Sequence, residues 1–200
     1  MFGFIFGSTL GRVALGIAAL VVAVIAWIMI SPLFINKTVS ESFPSIDTVM
    51  QMTDAAKAEI KDDMIAAAAE EVDVSAADPM PTGPVLLASG AFADADAFHQ
   101  GSGDVSLYNL DGERVIRFED FKGTNGPDLF VWLTNVDDPR ADKGSIAQEG
   151  NWVSLGRLKG NVGDQNYSVP ADVDLSDFNH IVVWCRAFGV LFSAATLQDV

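Results

Sequence analysis

HIVVWCRAF, residues 180–188, and VLFSAATL, residues 190–197, are two runs of β-branched, aromatic and small apolar residues separated by a single glycine. In an extended chain successive side chains leave opposite faces. Ile181, Val183, Cys185 and Ala187 therefore share one face, and Val182, Trp184, Arg186 and Phe188 share the other. The same texture recurs upstream in VLLASGAF (85–92), DVSLYNL (104–110), RVIRF (114–118), LFVWL (129–133), WVSLG (152–156) and NYSVP (166–170). DG, NG, GN and GD turn signals separate these runs, and no long helical pattern lies between them. This predicts a mainly β unit over 84–200, an antiparallel β-sandwich or a barrel-like relative of one.

The preceding residues have a different character. Residues 36–83 read as a helical stem and linker. TVMQMTDAAKAEIKDDMIAAAAEEV (48–72) is free of Gly and Pro, and Val49, Met52, Ala56, Ile60 and Met64 form an apolar stripe at helical spacing. SAADPMPTGP (75–84) follows as a proline-rich connection. Residues 13–35, VALGIAALVVAVIAWIMISPLFI, carry no charge and are long enough to cross a hydrocarbon core of roughly 30 Å. A cleaved signal peptide has a shorter apolar region, and no clear A-x-A site follows this one. The reading is a tail over 1–12 and a transmembrane helix over 13–35. Arg12 and the terminal amine favour an N-terminus inside and a C-terminal domain on the extracytoplasmic side of the cell membrane.

Charge narrows the partners. The net charge is −15, and Arg12 is the only charged side chain before Lys37, so the segment from Asn36 onward stands one unit lower, at −16. Its Lys and Arg are scattered among 27 acids, which offers no clustered basic face for nucleic acid. The signatures GxSxG, HExxH, GxxxxGK[ST] and GxGxxG are missing. Asp172, Asp174 and Asp177 begin like a calcium loop. They lack its turn glycine, and Val183 stands where the twelfth-position glutamate would be, so this is a solvated turn.

Cys185 is the only cysteine, which rules out a disulfide within the chain. It reads either as a small buried apolar residue or as a reactive thiol. The domain holds two histidines and one cysteine, the smallest ligand set of a blue-copper site. His180 and Cys185 are five apart, so an unbroken strand sends them to opposite faces, and only a bulge would let them converge. All six methionines precede the domain, so it has no axial Met of its own. His99 with Cys185 is the most economical metal-ligand pair, against a plain hydrogen-bonding role for His99. Asp128 either orients His99 or caps its own turn, and Tyr167 and Trp184 either carry electrons or fill the core.

HQGSGDV (99–105), RFEDFKGTNGPDLFVWL (117–133), LGRLKGNVGDQNYSVP (155–170) and VVWCRAFGVLFSAATL (182–197) occur in the order found in the DM13 family, which this chain resembles from Gly90 to Leu197. SPLFINKTV after the anchor is similar to small bacterial members. The resemblance implies an extracytoplasmic β-sandwich acting in redox or electron transfer, with Cys185 as free thiol or metal ligand. The expected partners are the lipid bilayer, through residues 13–35, and a protein redox partner; a metal ion is the candidate cofactor. The competing reading is a non-catalytic extracytoplasmic binding or envelope-structural module. If residues 13–35 are retained as an anchor, the mature protein stays with membranes after an alkaline wash. A soluble product beginning near Asn36 would overturn the anchor.

Overall fold

Strands β5 (Leu129–Thr134) and β8 (His180–Cys185) lie side by side, and all six residues of each are buried. An isolated half-exposed strand would alternate. These two do not, because apolar material covers both of their faces. The computed structural model describes residues 9–31, 35–44 and 83–200. Its other elements are a helix α1 (Thr9–Ile30) and strands β1 (Thr38–Ser40), β2 (Pro84–Asp94), β3 (Gly101–Leu110), β4 (Glu113–Gly123), β6 (Trp152–Arg157), β7 (Val162–Val169), β9 (Val190–Thr196) and β10 (Gln198–Asp199).

The strand order is β1-β7-β4-β3-β2-β9-β8-β5-β6, with β10 against β2. Every neighbour along this path is antiparallel except β1 beside β7, which is parallel. Strand β2 makes the corner. Pro84 to Ala91 pair with β3, and Phe92 to Asp94 pair with β9. Gly90 sits at the bend, where an added Cβ would lie 2.1 Å from the Thr196 carbonyl oxygen, so only glycine permits that approach. The result is a curled, mostly antiparallel half-barrel, in keeping with the mainly β, sandwich-or-barrel expectation.

Between the two halves lies the principal core. Phe92, Phe118 and Phe121 meet edge-on or tilted at centroid separations of 4.7 to 5.3 Å, and Tyr167 packs on Phe118 at 5.1 Å. Ile116, Val131, Leu133, Ile181, Val183 and Cys185 join them. A second cluster covers the outer face of β5, β8 and β9, where Trp132, Trp184, Val182 and Leu191 pack under Val136 and Ile146 from the 135–151 connection. Each large side chain so buried contributes about 1.5–3 kcal/mol.

The expected helix over 48–72 lies outside the described residues. Residues 36–44, expected to belong to the same stem, instead pack on the domain. Strand β1 pairs Val39 with Gly163 of β7, and Phe43 stacks edge-on against Tyr108 at 4.9 Å. The reason is electrostatic as well as geometric. Arg117 is only 5% exposed, and its guanidinium donates to the carbonyls of Glu41 and Ser42 (3.2 and 3.3 Å) and to Asn166 Oδ1 (3.0 Å), with Glu119 and Asp164 beside it. A buried cation needs such partners, and the 41–42 backbone supplies part of the set. Glu41 in turn receives Lys159 Nζ at 2.8 Å and the Asn166 backbone N–H at 2.8 Å.

Gly163 permits this docking. It has φ +101°, and a Cβ there would sit 1.9 Å from the Val39 carbonyl oxygen. Gly163→Val should therefore detach β1, increase amide exchange at residues 38–44, and lower stability by roughly 1–3 kcal/mol in urea unfolding. Unchanged protection of Thr38 to Glu41 in that variant would show that the pairing does not depend on this close approach.

Candidate functional site

Cys185 occupies the last position of β8, opposite Leu129 of β5 and Val190 of β9. The β5–β8 register runs unbroken from Thr134↔His180 to Leu129↔Cys185, so alternation along β8 is strict. Ile181, Val183 and Cys185 face the principal core, and Val182 and Trp184 face the outer cluster. The irregularity nearby belongs to β9, whose register shifts between Val183↔Ser193 and Trp184↔Leu191, leaving Phe192 as the extra residue. His180 is therefore not turned toward Cys185. It packs in a separate cleft with Asp137 and Asp138, its Nδ1 3.0 Å from Thr196 Oγ1, and burial lowers its pKa against the opposing pull of those acids.

The thiol is wholly buried and unpaired. The chain leaves the strand in a turn. Residues 186–189 are exposed, the Arg186 N–H donates to the Asp128 carbonyl at 3.0 Å, and the Gly189 N–H returns to the Cys185 carbonyl at 2.9 Å.

His99 stands in the loop between β2 and β3, and Asp96 holds it there. Asp96 Oδ1 lies 2.9 Å from His99 Nδ1 and accepts the backbone N–H groups of Phe98 and His99 at 3.0 and 2.9 Å. These bonds, that from the His99 side chain foremost, hold the Asp96 carboxyl well below the usual range. The imidazole also packs on Phe192, with centroids 4.5 Å apart. Asp96 is thus the carboxylate that orients His99. Sequence reasoning passed over it, although an aspartate three residues before a histidine is the pattern of a side chain capping its own turn.

Asp128 has a different task. It is 18% exposed and lies 2.9 Å from Arg157 Nη2 and 3.3 Å from Arg186 Nε. Both guanidiniums lie over the Phe130 ring, 4.9 and 4.4 Å from its centroid. The end of the sheet at Cys185 therefore presents two half-exposed arginines sharing one carboxylate. Arg157 was not singled out in the sequence, because β6 and β8 become neighbours of β5 only in the folded sheet.

Tyr167 is a core residue. Its hydroxyl donates to Gln165 Oε1 at 2.7 Å and accepts the Lys159 N–H at 3.1 Å, and burial pushes its pKa upward. Trp184 stacks on Trp132 at 5.5 Å, and Trp132 stacks on Trp152 at 4.1 Å, on the outer face of the sheet.

The donors do not fit a metal. Among the described residues no three His, Cys, Asp or Glu side chains gather as a ligand set. The neighbours of Cys185 are apolar, and His99 engages Asp96 through Nδ1. What the arrangement offers is a single thiol buried in the core at the end of β8, with two arginines at the same end of the sheet on its other face.

No curated protein and no solved structure matches the chain. A family model described as electron transfer DM13 matches residues 92–197. That stretch covers just over half of the chain and takes in β3 to β9, the His99 loop, the Asp128 turn and Cys185, and the chain belongs to the DM13 family.

Proposed function

We propose that this DM13 protein is an electron-transfer component, tethered to the cell membrane by residues 13–35 with its domain on the extracytoplasmic side, and that it exchanges electrons with a protein partner through Cys185. The observation that supports the reading is the position of the chain's only thiol, at the last residue of β8 and directly before an exposed turn. Fraying of this strand end, residues 185–189, would uncover it without unfolding the rest of the sheet.

One cysteine cannot store a disulfide by itself. The chemistry that suits it is exchange with a partner disulfide. The Cys185 thiolate, its proton given to solvent, attacks one partner sulfur. A new S–S bond forms as the old one breaks, and the partner's other sulfur leaves as a thiolate. Cys185 is oxidised and the partner is reduced by one half of its disulfide. A thiolate of a donor dithiol then attacks the partner sulfur of the mixed disulfide: a donor–partner S–S bond forms as the bond to Cys185 breaks, and Cys185 leaves as a thiolate. The donor's second thiolate displaces the partner's sulfur and closes the donor disulfide, so the donor is oxidised, the partner disulfide is fully reduced and Cys185 is restored.

Complete burial of the thiol among apolar side chains favours a second reading. In it Cys185 is core and the domain is a binding or envelope-structural module.

Labelling of the intact protein decides between them. In the redox reading Cys185 reacts with a small thiol reagent faster than the protein globally unfolds, forms mixed disulfides, and loses both properties on Cys185→Ser while the fold survives. In the structural reading the thiol stays unlabelled until unfolding in a metal-free sample. Cys185→Ser then costs only stability, on the order of 1–3 kcal/mol, for a buried hydroxyl left without a good partner. That second outcome would sink the electron-transfer role for this chain.

A further inference from the structure

The path from α1 to the domain settles which end of the half-barrel lies nearest α1. Helix α1 stops at Ile30, and by Ile35 the backbone is already fastened. Asn125 Nδ2 donates to the Ile35 carbonyl at 2.7 Å, the Lys37 N–H donates to Asn161 Oδ1 at 2.7 Å, and Asn161 Nδ2 donates to Asn36 Oδ1 at 2.9 Å. Five residues span at most about 18 Å, so Asn125 and Asn161 cannot sit farther than that from the helix end. The strand registers gather at this same end the 95–100 loop, the 124–128 turn, the 158–161 loop and the 186–189 turn. Strand β4 runs away from it for 11 residues, about 36 Å, to the Leu110–Glu113 turn.

The side chains of the near end are unlike those of the rest of the domain. Phe98 is 83% exposed and Phe188 is 56% exposed, each at a loop tip. The Phe98 loop is braced: its N–H donates to Asp96 Oδ1, and its carbonyl accepts Thr124 Oγ1 at 3.2 Å. Lys37, Lys122, Arg157 and Arg186 are exposed around them. The far end carries Asp111 and Glu113 in one turn, Asp137, Asp138 and Arg140 beyond β5, and Asp174 and Asp177 before β8. The anchored end has carboxylates too, Asp96, Asp120 and Asp128, but it is there that four exposed cations and two bare phenyl rings lie together.

We propose that this end docks on the bilayer, with Phe98 and Phe188 entering the boundary between headgroups and acyl chains and Lys37, Lys122, Arg157 and Arg186 meeting the phosphates of anionic lipid. The proposal rests on the anchored reading above and adds to it an orientation. A lipid surface is the occupant that the tether delivers: the covalent link keeps this face within reach of the bilayer, so weak interfacial contacts suffice to hold it.

The test uses the full chain in vesicles of phosphatidylcholine alone or mixed with phosphatidylglycerol, read by amide hydrogen exchange. Docking slows exchange of the 95–100 and 186–189 segments by at least about threefold in the anionic vesicles. High salt reverses the effect, and the double variant Phe98→Asp/Phe188→Asp abolishes it. Segments 110–113 and 170–179 remain unchanged in every sample and report that the fold is intact. Equal exchange of the two loops in both lipids, indistinguishable from the double variant, would overturn the docking. Failure of the anchor is separate, because the protein would then leave the vesicles on an alkaline wash.

Discussion

Pairing of β5 with β8, in unbroken register and buried on both faces, is the constraint on which the rest of this structure depends. Two strands without a polar face cannot form the outside of anything. One side must close against β4, β3 and the phenylalanine cluster, which requires β2 to turn a corner and carry the chain from one half of the sheet to the other. The opposite side must also be covered, and the 135–151 connection does this through Val136 and Ile146 over the tryptophan stack. Because the register does not slip, the orientation of each β8 side chain follows from its number alone. Cys185 is placed inward at the end of the strand, and His180 is kept on the other face, in its own cleft.

Much of this was legible in the chain. The alternation read from HIVVWCRAF holds from Ile181 to Cys185, since a period of two is a property of the extended backbone and needs no tertiary information; Arg186, Ala187 and Phe188, read as part of the same strand, instead form the exposed turn into β9. The runs quoted from 85 to 197 each became strands, because β-branched and aromatic residues bounded by turn chemistry agree with their surroundings at every level. What could not be read was adjacency. Asp128 reads from the sequence as orienting His99 or capping its own turn, because nothing local announces that Arg157 and Arg186, far off in the chain, come to lie beside it. Thr38 to Ser40 is too short a run to announce itself as a strand, and its pairing rests on close approach to Gly163, far away in sequence.

Strand β1 changes how the domain relates to α1. A spacer of some fifty residues would let the domain roam far from the helix. The docked segment from Ile35 to Pro44 leaves only a few residues between the end of α1 and the first fixed point on the domain. This attachment also contributes to folding. Arg117 is buried by a strand arriving from outside the span that the family model matches, and without the carbonyls of Glu41 and Ser42 its guanidinium would lose two of its acceptors.

Placing a lone thiol at the end of such a strand has a chemical consequence that does not depend on the partner's identity. Reactivity of a buried cysteine is governed by the free energy needed to expose it together with the fraction present as thiolate. The first comprises more than the two backbone bonds of the exposed turn, Arg186 N–H to Asp128 and Gly189 N–H to Cys185: the thiol is packed in the principal core, and its strand position pairs with Leu129 and Val190. Water replaces a broken turn bond at little net cost, so the packing of the sulfur, and not the turn, sets how far β8 has to fray before the thiol is met. Arg157 and Arg186 lie over Phe130, which belongs to the outer cluster, so they stand on the face of the sheet opposite to the sulfur.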